Sequence, residues 1–164
     1  MAVASEDWVL PQWTVRPMSA SDVAEVHAIE VASYPFPWSV GIFRDCLRAG
    51  YLCSVAELDG QCVGYALLSL AADEAHVLNI CIAPDYRCRG LGRRLMQFLF
   101  VQARQQGAQA LYLEVRPSNL SAIRLYQSLG LQQVGVRRGY YQATHGREDA
   151  LVLRLDLSRT ALIV

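Results

Sequence analysis

Residues 79–95, NICIAPDYRCRGLGRRL, join an apolar segment to an amphipathic one through a glycine-containing turn. The segment 76–82, HVLNICI, is apolar on both faces except at His76 and Asn79, which is typical of a central, buried strand. From Leu91 onward, apolar residues recur at positions 91, 95, 98 and 99, with the period of a helix. Gly90 and Gly92 are therefore predicted to lie between a buried strand and the start of a helix.

This turn has the properties of an anion site. The first N–H groups of a helix lack intrahelical partners, the helix dipole is positive there, and glycines let a phosphate approach the backbone. Four arginines surround the turn, at positions 87, 89, 93 and 94. Position 95 is Leu and no G-K-[ST] follows, so neither the dinucleotide fingerprint nor the Walker loop is present. We interpret the turn as an anion site of another kind, with a plain strand-to-helix connection as the alternative.

The remaining segments predict a mixed α/β domain with the element order β-α-α-β-β-β-α-β-α-β-β. Strands are expected at 13–17, 51–58, 61–70, 76–82 and 110–115, with two more after Gly130, and Asp59 and Gly60 suit a tight hairpin turn. Helices are expected within 18–34, 38–47, 91–107 and 119–130. We divide the chain into a loose leader (1–11), a single domain (12–158) and a C-terminal tail (159–164).

The composition narrows the class of protein. The net charge is zero, which argues against a nucleic-acid-binding surface over the whole molecule. The five cysteines form no C-x-x-C motif, which is typical of a reducing compartment, and no metal site is expected. No apolar run is long enough to span a bilayer, and no signal peptide is recognisable at the N-terminus. A cytoplasmic protein without a membrane partner is the expectation.

Four blocks together carry a family resemblance. The R-x-x-G-x-G pattern at 87–92 resembles the pyrophosphate loop of the GNAT superfamily of N-acetyltransferases. With FPWS (36–39), LYLEVRPSNLSAIRLYQSLG (111–130) and RRGYYQATHGREDALVL (137–153), it resembles the bacterial RimI type, over residues 13 to 157. The resemblance implies the GNAT fold, with a mixed central sheet of about seven strands, about four helices and splayed central strands. It also implies acetyl transfer to the N-terminal alanine of a small-subunit ribosomal protein.

The resemblance implies acetyl-CoA as the cosubstrate and no metal. Its pantetheine arm would be held by Ile80, Cys81 and Ile82. Backbone amides for the pyrophosphate would come from Cys88, Arg89, Gly90, Leu91, Gly92 and Arg93, and Asn119 would be a further cofactor contact. The residues alone allow other roles, because Ile80 and Ile82 can be core residues and Asn119 can cap a helix.

The same resemblance implies two catalytic residues. Glu114 matches the general base, which would take a proton from the acceptor amine, and Tyr126 matches the general acid, which would protonate the leaving thiolate. Transfer would be direct, with a backbone N–H near Ile82 stabilising the oxyanion. Taken alone, a Glu in an alternating strand is more often a solvated residue and a Tyr on an apolar helix face more often core. His27 and His76 are interpreted as structural residues.

The acceptor side is predicted from two further blocks. FPWS and the RR-x-YY…GRED block would shape a groove for the N-terminal peptide of a ribosomal protein, with no direct nucleic-acid contact. Where the family often has Pro and Asp, this chain has Gln142 and His145, which leaves acceptor preference open. An acetyltransferase for a small amine or for broader protein N-termini is the first alternative. A non-catalytic CoA-binding or RNA-binding module is the second, disfavoured by the presence of both Glu114 and Tyr126.

Overall fold

The computed structural model describes residues 12–158, so the predicted leader and tail lie outside the described residues. Seven strands form one sheet in the order β1-β2-β3-β4-β5-β7-β6. Only β4 and β5 are parallel, and every other neighbouring pair is antiparallel. The strands are β1 (Trp13–Pro17), β2 (Leu52–Leu58), β3 (Gln61–Ala71), β4 (Glu74–Ile82), β5 (Ala110–Val115), β6 (Gln132–Ala143) and β7 (Gly146–Asp156).

Four helices cover the two faces of this sheet, and the predicted element order is confirmed. They are α1 (Val23–Ser33), α2 (Val40–Arg48), α3 (Leu91–Gln105) and α4 (Leu120–Ser128). The first helix begins later than the pattern suggested because residues 20–22 form a separate 3-10 turn. The second begins after Ser39, whose hydroxyl accepts the Ile42 N–H at 3.3 Å. None of these helices combines the length and apolar character that crossing a bilayer requires.

Two apolar cores lie on opposite faces of the sheet. On one face α3 and α4 pack through Leu95, Leu99 and Tyr126 against alternate residues of the strands. On the other face α1 and α2 pack through Val26 and Phe43. Because side chains alternate across a strand, β3 supplies Ala66 and Leu68 to the first core and Tyr65 and Leu67 to the second.

The central strands separate, as expected from the resemblance. β4 pairs with β5 only over residues 74–77 and 110–113, although β4 continues to Ile82. The separation begins at a bulge, where Leu67 pairs with Asn79 and Leu68 with Val77, so Leu78 is the extra residue. A bulge increases the local twist, and the last five residues of β4 therefore leave their neighbour on one side. This opening is called the strand gap below.

Candidate active site

The strand gap exposes backbone groups of β4. Ala83 N–H donates to Val63 O at 2.7 Å. In an antiparallel pair the backbone groups of every second residue point to the same neighbour, so every second residue of β4 before Ala83 also faces β3. The backbone N–H and C=O groups of Ile80 and Ile82 lie at the intervening positions, point away from β3 and face the gap. Ile80 and Ile82 therefore form non-hydrogen-bonded pairs with their register partners on β3, Ala66 and Gly64. Ile80 and Ile82 are thus in the position expected for residues whose backbone pairs with a ligand.

Side chains already occupy the two carbonyls on this side. The Tyr34 hydroxyl donates to Ile80 O at 3.0 Å, and Arg87 Nε donates to Ile82 O at 3.0 Å. These hydrogen bonds satisfy the two carbonyls on the side of β4 where no strand is paired with it. The N–H groups of Ile80 and Ile82 are the ones left for a ligand to reach.

The turn after β4 has an open, left-handed backbone. Cys88 has φ +62° and Gly90, which caps α3, has φ +77°. A Cβ added at Gly90 would meet no atom of the described residues within 4 Å, so these residues leave the space above Gly90 open. A Cβ at Gly92 would lie 3.4 Å from Leu125 and 3.9 Å from Ile82, which shows how closely α3, α4 and β4 converge. The turn therefore presents the N-terminus of α3 to the mouth of the gap.

The four arginines of the turn have different contacts. Arg87 is bound to Ile82 O, and Arg93 donates to Ser128 Oγ at 2.7 Å. Arg94 lies over the ring of Trp13 and Arg89 over that of Tyr86, at 5.2 and 5.3 Å from the centroids. Within residues 12–158 none of these arginines pairs with a carboxylate.

This arrangement fits the phosphate end of acetyl-CoA. A helix N-terminus, an open glycine and unneutralised guanidinium groups favour a multiply charged anion, and the adjoining gap offers backbone donors to an amide-containing chain. Arg89 and Arg94 are both exposed, and their contacts among the described residues are aromatic rings and, for Arg89, one backbone carbonyl, so both charges are available to a phosphate.

Glu114 stands on β5 at the edge of the gap and is almost completely buried, with 6% of its side chain exposed. Its Oε2 lies 2.5 Å from His76 Nε2 and its Oε1 lies 3.0 Å from Arg137 Nε. Burial alone would raise the pKa of Glu114, but the hydrogen bond to His76 and the charges of His76 and Arg137 lower it below its ordinary value. Glu114 is therefore ionised at neutral pH and able to accept a proton.

Tyr126 lies on α4 near Cys81, which is in the part of β4 that borders the gap. Only 8% of the residue is exposed, and burial, together with the nearby Cys81 thiol, raises the pKa of Tyr126 to about 12. The phenol therefore stays protonated at physiological pH and is a proton donor. No hydrogen-bond partner of its hydroxyl occurs among the described residues, which leaves the donor free for a ligand in the gap.

A cavity of about 360 Å³ opens beside Glu114. Phe36 and Trp38, from the segment between α1 and α2, form one wall, and Tyr140 and Tyr141 of β6 form the other. This cavity, called the acceptor groove below, is also lined by Val77, Leu78, Glu114, Arg116, Gln142 and Arg147. Its lining includes residues from each of the two sequence blocks that were predicted to shape an acceptor site.

The β6 wall is shaped by a bulge that β7 holds in place. Register shifts between Arg137 and Tyr141, so that residues 138–140 loop out opposite Asp149. Asp149 accepts the Gly139 N–H at 2.8 Å, and Arg147 donates to Gly139 O at 2.5 Å and to Tyr140 O at 3.1 Å. Two residues of the GRED block thus fix the position of Tyr140.

The third charged residue of that block connects the groove to α4. Glu148 lies 3.1 Å from Arg116 Nη1 and accepts from the Ser118 hydroxyl and N–H at 3.1 and 3.3 Å. Arg116 in turn lies 4.3 Å from the centroid of the Tyr141 ring. The β6 wall, the end of β5 and the start of α4 are therefore one connected polar unit.

Comparison with known proteins identifies the family. Residues 23–131 match the model of the acetyltransferase (GNAT) family. The chain is 37% identical over 145 residues to the [ribosomal protein bS18]-alanine N-acetyltransferase of Escherichia coli K12, covering 88% of this chain and 98% of that protein. The chain belongs to the GNAT acetyltransferase family. A relative with the same name in Haemophilus influenzae is 35% identical over 140 residues, covering 85% and 95%.

Solved GNAT structures have the same architecture. The crystal structure of the E. coli ribosomal-protein-S18-alanine N-acetyltransferase matches with a TM-score of 0.84 and 35% identity, covering 93% of this chain and 99% of that one. A Salmonella typhimurium protein solved with its cofactor acetyl-CoA matches with a TM-score of 0.73 and 22% identity, covering 91% and 96%. At that identity the second match speaks for the fold alone. The predicted GNAT fold and acetyltransferase class are confirmed.

Asn119 has a structural role that the resemblance did not require. Its side chain accepts the Ala122 N–H at 3.3 Å and so caps α4. This is the role that the sequence alone favoured for an Asn at a helix start. The cofactor contact expected of Asn119 in a GNAT enzyme stays a prediction, as do the roles of the strand and turn residues.

Two partners of Glu114 were missed by reasoning from sequence. We predicted a structural role for His76, but the structure places its ring nitrogen against Glu114. Arg137 was noticed only as part of a motif. His76 is paired with Tyr112 in the β4–β5 register. Glu114 follows Tyr112 by two residues on the same face of β5, and is therefore a near neighbour of His76 across the strands. Strand periodicity shows which residues share a face, but only the register shows which residues meet across strands.

Proposed function

We propose that this protein transfers the acetyl group of acetyl-CoA to the N-terminal alanine of the small-subunit ribosomal protein bS18. The relatives at 35–37% identity carry that activity in their names and are matched over nearly their whole length. The observation that carries the proposal is the position of Glu114, an ionised, buried carboxylate on the wall of the acceptor groove and at the edge of the strand gap. A base in that position is within reach of an amine that enters through the groove.

Glu114 would act as the general base. An N-terminal amine has a pKa of about 7.7–8.0, so much of it is protonated near neutral pH and cannot attack. Glu114, held by His76 and Arg137, would accept the amine proton directly or through a water molecule. Because both carboxylate oxygens already have a partner, the base is fixed in orientation before the acceptor arrives.

Tyr126 would act as the general acid, and β4 would supply the oxyanion donor. Bound acetyl-CoA supplies an acyl group already activated as a thioester. The N–H groups of β4 that face the gap would donate to the carbonyl oxygen as negative charge develops on it. Tyr126, with its raised pKa, would give its proton to the departing sulfur. Glu114 would thus take the proton from the amine and Tyr126 would give a proton to the thiolate, and no acetyl-enzyme intermediate would form.

The shape of the groove favours a peptide N-terminus over a small amine. It is lined by Phe36, Trp38, Tyr140 and Tyr141 as well as by Glu114, and this aromatic surface is larger than a small amine would need. Backbone contacts of Arg147 and Asp149 with the bulge of β6 make one of these walls rigid.

A peptide panel tests the proposal. Purified protein and acetyl-CoA would be incubated with peptides that begin with the bS18 sequence of the source organism, with the same sequence but a different first residue, and with a small polyamine. Mass spectrometry would locate the acetyl group. We expect acetylation at the α-amino group of the alanine peptide. Efficient acetylation of the polyamine, with the peptides untouched, would replace the proposal by the small-amine alternative.

A further inference from the structure

Glu30 is a buried carboxylate on the apolar face of α1. The residue is 2% exposed and follows Val23 and Val26, both buried, on the same face of the helix. A leucine at this position would extend that apolar face. A buried carboxylate is costly unless its oxygens are hydrogen-bonded, so its partners indicate why it is there.

Three donors from three different parts of the chain converge on Glu30. Its Oε1 accepts the Trp38 N–H at 3.0 Å. Its Oε2 accepts from Asn79 Nδ2 at 3.0 Å and from the Tyr65 hydroxyl through a short hydrogen bond. All three partners are uncharged, and within the described part of the chain no cation pairs with Glu30. The carboxylate therefore serves as a hydrogen-bond hub and not as half of an ion pair.

The bond to Trp38 holds one wall of the acceptor groove. Residues 35 and 37 are prolines, so Phe36 and Trp38 carry the only backbone N–H groups between Tyr34 and Ser39. Of these two, only the Trp38 N–H has a hydrogen-bond partner among the described residues. Both side chains line the groove. One hydrogen bond thus connects this non-helical wall to the body of the domain.

The other two donors fix the hub to the sheet. Asn79 lies on β4 directly before the gap residue Ile80, at the position where the bulge separates β4 from β5. Tyr65 is fully buried on β3 and packs edge-on against Phe43, whose ring also lies 5.4 Å from that of Trp38. Burial, the nearby Cys81 thiol and the bond to Glu30 raise the pKa of Tyr65 well above its ordinary value, so its hydroxyl stays a donor.

We infer that Glu30 is a positioning residue for the acceptor: it sets the distance between the Phe36 and Trp38 wall and the end of β4, and so controls acceptor binding but not acetyl-CoA binding. This inference rests on the proposed peptide acetylation, because it assigns the groove to the acceptor. The gap carbonyls are bound by two side chains outside the hub, Tyr34 and Arg87. Tyr34 is linked to Glu30 through the backbone, since its N–H donates to Glu30 O at 3.0 Å, but it does not contact the Glu30 carboxylate through a hydrogen bond.

Steady-state kinetics with each substrate varied in turn tests the inference. The variants are Glu30→Ala, which removes the hub, and Glu30→Gln, which keeps one oxygen for the Trp38 N–H. Loss of a buried hydrogen bond to a charged acceptor corresponds to roughly tenfold or more in an equilibrium constant. For Glu30→Ala we expect the KM for the bS18 peptide to rise about tenfold and the KM for acetyl-CoA to change less than about twofold. Glu30→Gln should restore most of the peptide KM.

Tyr65→Phe is the matched control. It removes a hydrogen bond to the same carboxylate but leaves the Trp38 N–H bound, and it changes the buried volume very little. The peptide KM of this variant should stay within about twofold of wild type. Equal increases in both KM values for Glu30→Ala, an unchanged peptide KM, or a peptide defect in Tyr65→Phe as large as in Glu30→Ala would each overturn the inference.

Hydrogen exchange on the unmodified protein gives a test that needs no variant to fold. The Trp38 amide should exchange much more slowly than the Phe36 amide, which has no partner among residues 12–158 and serves as the internal reference. Equal exchange of the two amides would refute the inference. If the wild-type enzyme acetylates none of the peptides, the proposed function fails and the inference with it. If wild type is active and only the Glu30 effects are missing, the inference alone fails.

Discussion

At the scale of single residues, the surroundings of Glu114 set its protonation. Burial raises its pKa, the His76 hydrogen bond and the two neighbouring positive charges lower it, and the second effect is larger. A group with a lowered folded-state pKa contributes stability above its unfolded value, and this contribution is lost as the pH falls through the folded value. The same ionisation controls whether Glu114 can act as a base, so activity and this part of the stability should decline on the same acidic side.

Replacing His76 should therefore change the pH profile. In His76→Gln the hydrogen bond weakens and the electrostatic effect of His76 on Glu114 is lost, so the pKa of Glu114 rises and the acidic limb of kcat/KM moves to higher pH. Rates measured across about pH 4–9 would show the shift. His27→Gln, on α1, is the control and should keep the wild-type profile. Glu114→Gln should lose most of the activity and keep only the acidic limb that protonation of the acceptor amine produces; an acidic limb of unchanged position in His76→Gln would contradict this assignment.

Tyr126 is the second residue whose role can be separated by a conservative change. Tyr126→Phe removes only the hydroxyl, which has no protein partner within residues 12–158, so we expect the stability to change by less than about 1.5 kcal/mol. Loss of a general acid lowers kcat by roughly 10²-fold, with acetyl-CoA binding retained. Single-turnover kinetics and calorimetry measure the two effects. A large loss of stability with normal kcat would assign Tyr126 to the core instead.

At the scale of elements, β4, the turn and α3 form one unit. The strand ends in a gap, Gly90 begins the helix in a left-handed conformation, and the arginines around it have no acidic partners among the described residues. The helix dipole and these charges act at the same point, and the open space above Gly90 is where an anion can approach.

Substitution of Gly90 by Asp tests the function of this unit. The added carboxylate would fill the open space and repel a pyrophosphate, so the Kd for acetyl-CoA should rise about tenfold or more. Gly107→Asp is a matched control, because Gly107 ends the same helix, also has a left-handed φ of +88° and also has no atom within 4 Å of an added Cβ. Both variants should lose stability because of the left-handed φ, Gly107→Asp more than Gly90→Asp because a negative charge is unfavourable at a helix C-terminus, but only Gly90→Asp should lose affinity in calorimetry. Equal affinities would remove the turn from the binding site.

At the scale of the whole molecule, the sheet separates two cores. Leu99 of α3 and Phe43 of α2 are both completely buried, but on opposite faces. Leu99→Ala should cost about 2–5 kcal/mol in free energy of unfolding, and Phe43→Leu about 1–2 kcal/mol. Since the two sites share no neighbours, the costs in the double variant should add within about 0.5 kcal/mol, as measured by urea denaturation. A clear departure from additivity would mean that the sheet transmits strain between its faces.

The sequence by itself determined the elements of this protein and predicted an anion site at the turn before α3. Periodicity, prolines and glycines identify all seven strands and four helices in order, because these signals act between residues a few positions apart. The R-x-x-G-x-G turn was singled out by its local pattern, whereas Glu114 and Tyr126 were predicted as catalytic residues only through the family resemblance. Glu30 left a detectable signal as well, a carboxylate on an otherwise apolar helix face, which sequence reasoning did not use.

Only the tertiary structure decided which residues meet. The pairing of His76 with Glu114, the separation of β4 from β5 at Leu78, and the hub around Glu30 depend on strand register and on contacts between residues 35 to 49 positions apart. A one-residue change of register would move each of these side chains to the other face of the sheet. Register is fixed by the simultaneous packing of both cores, which is a property of the complete domain and not of any segment in it.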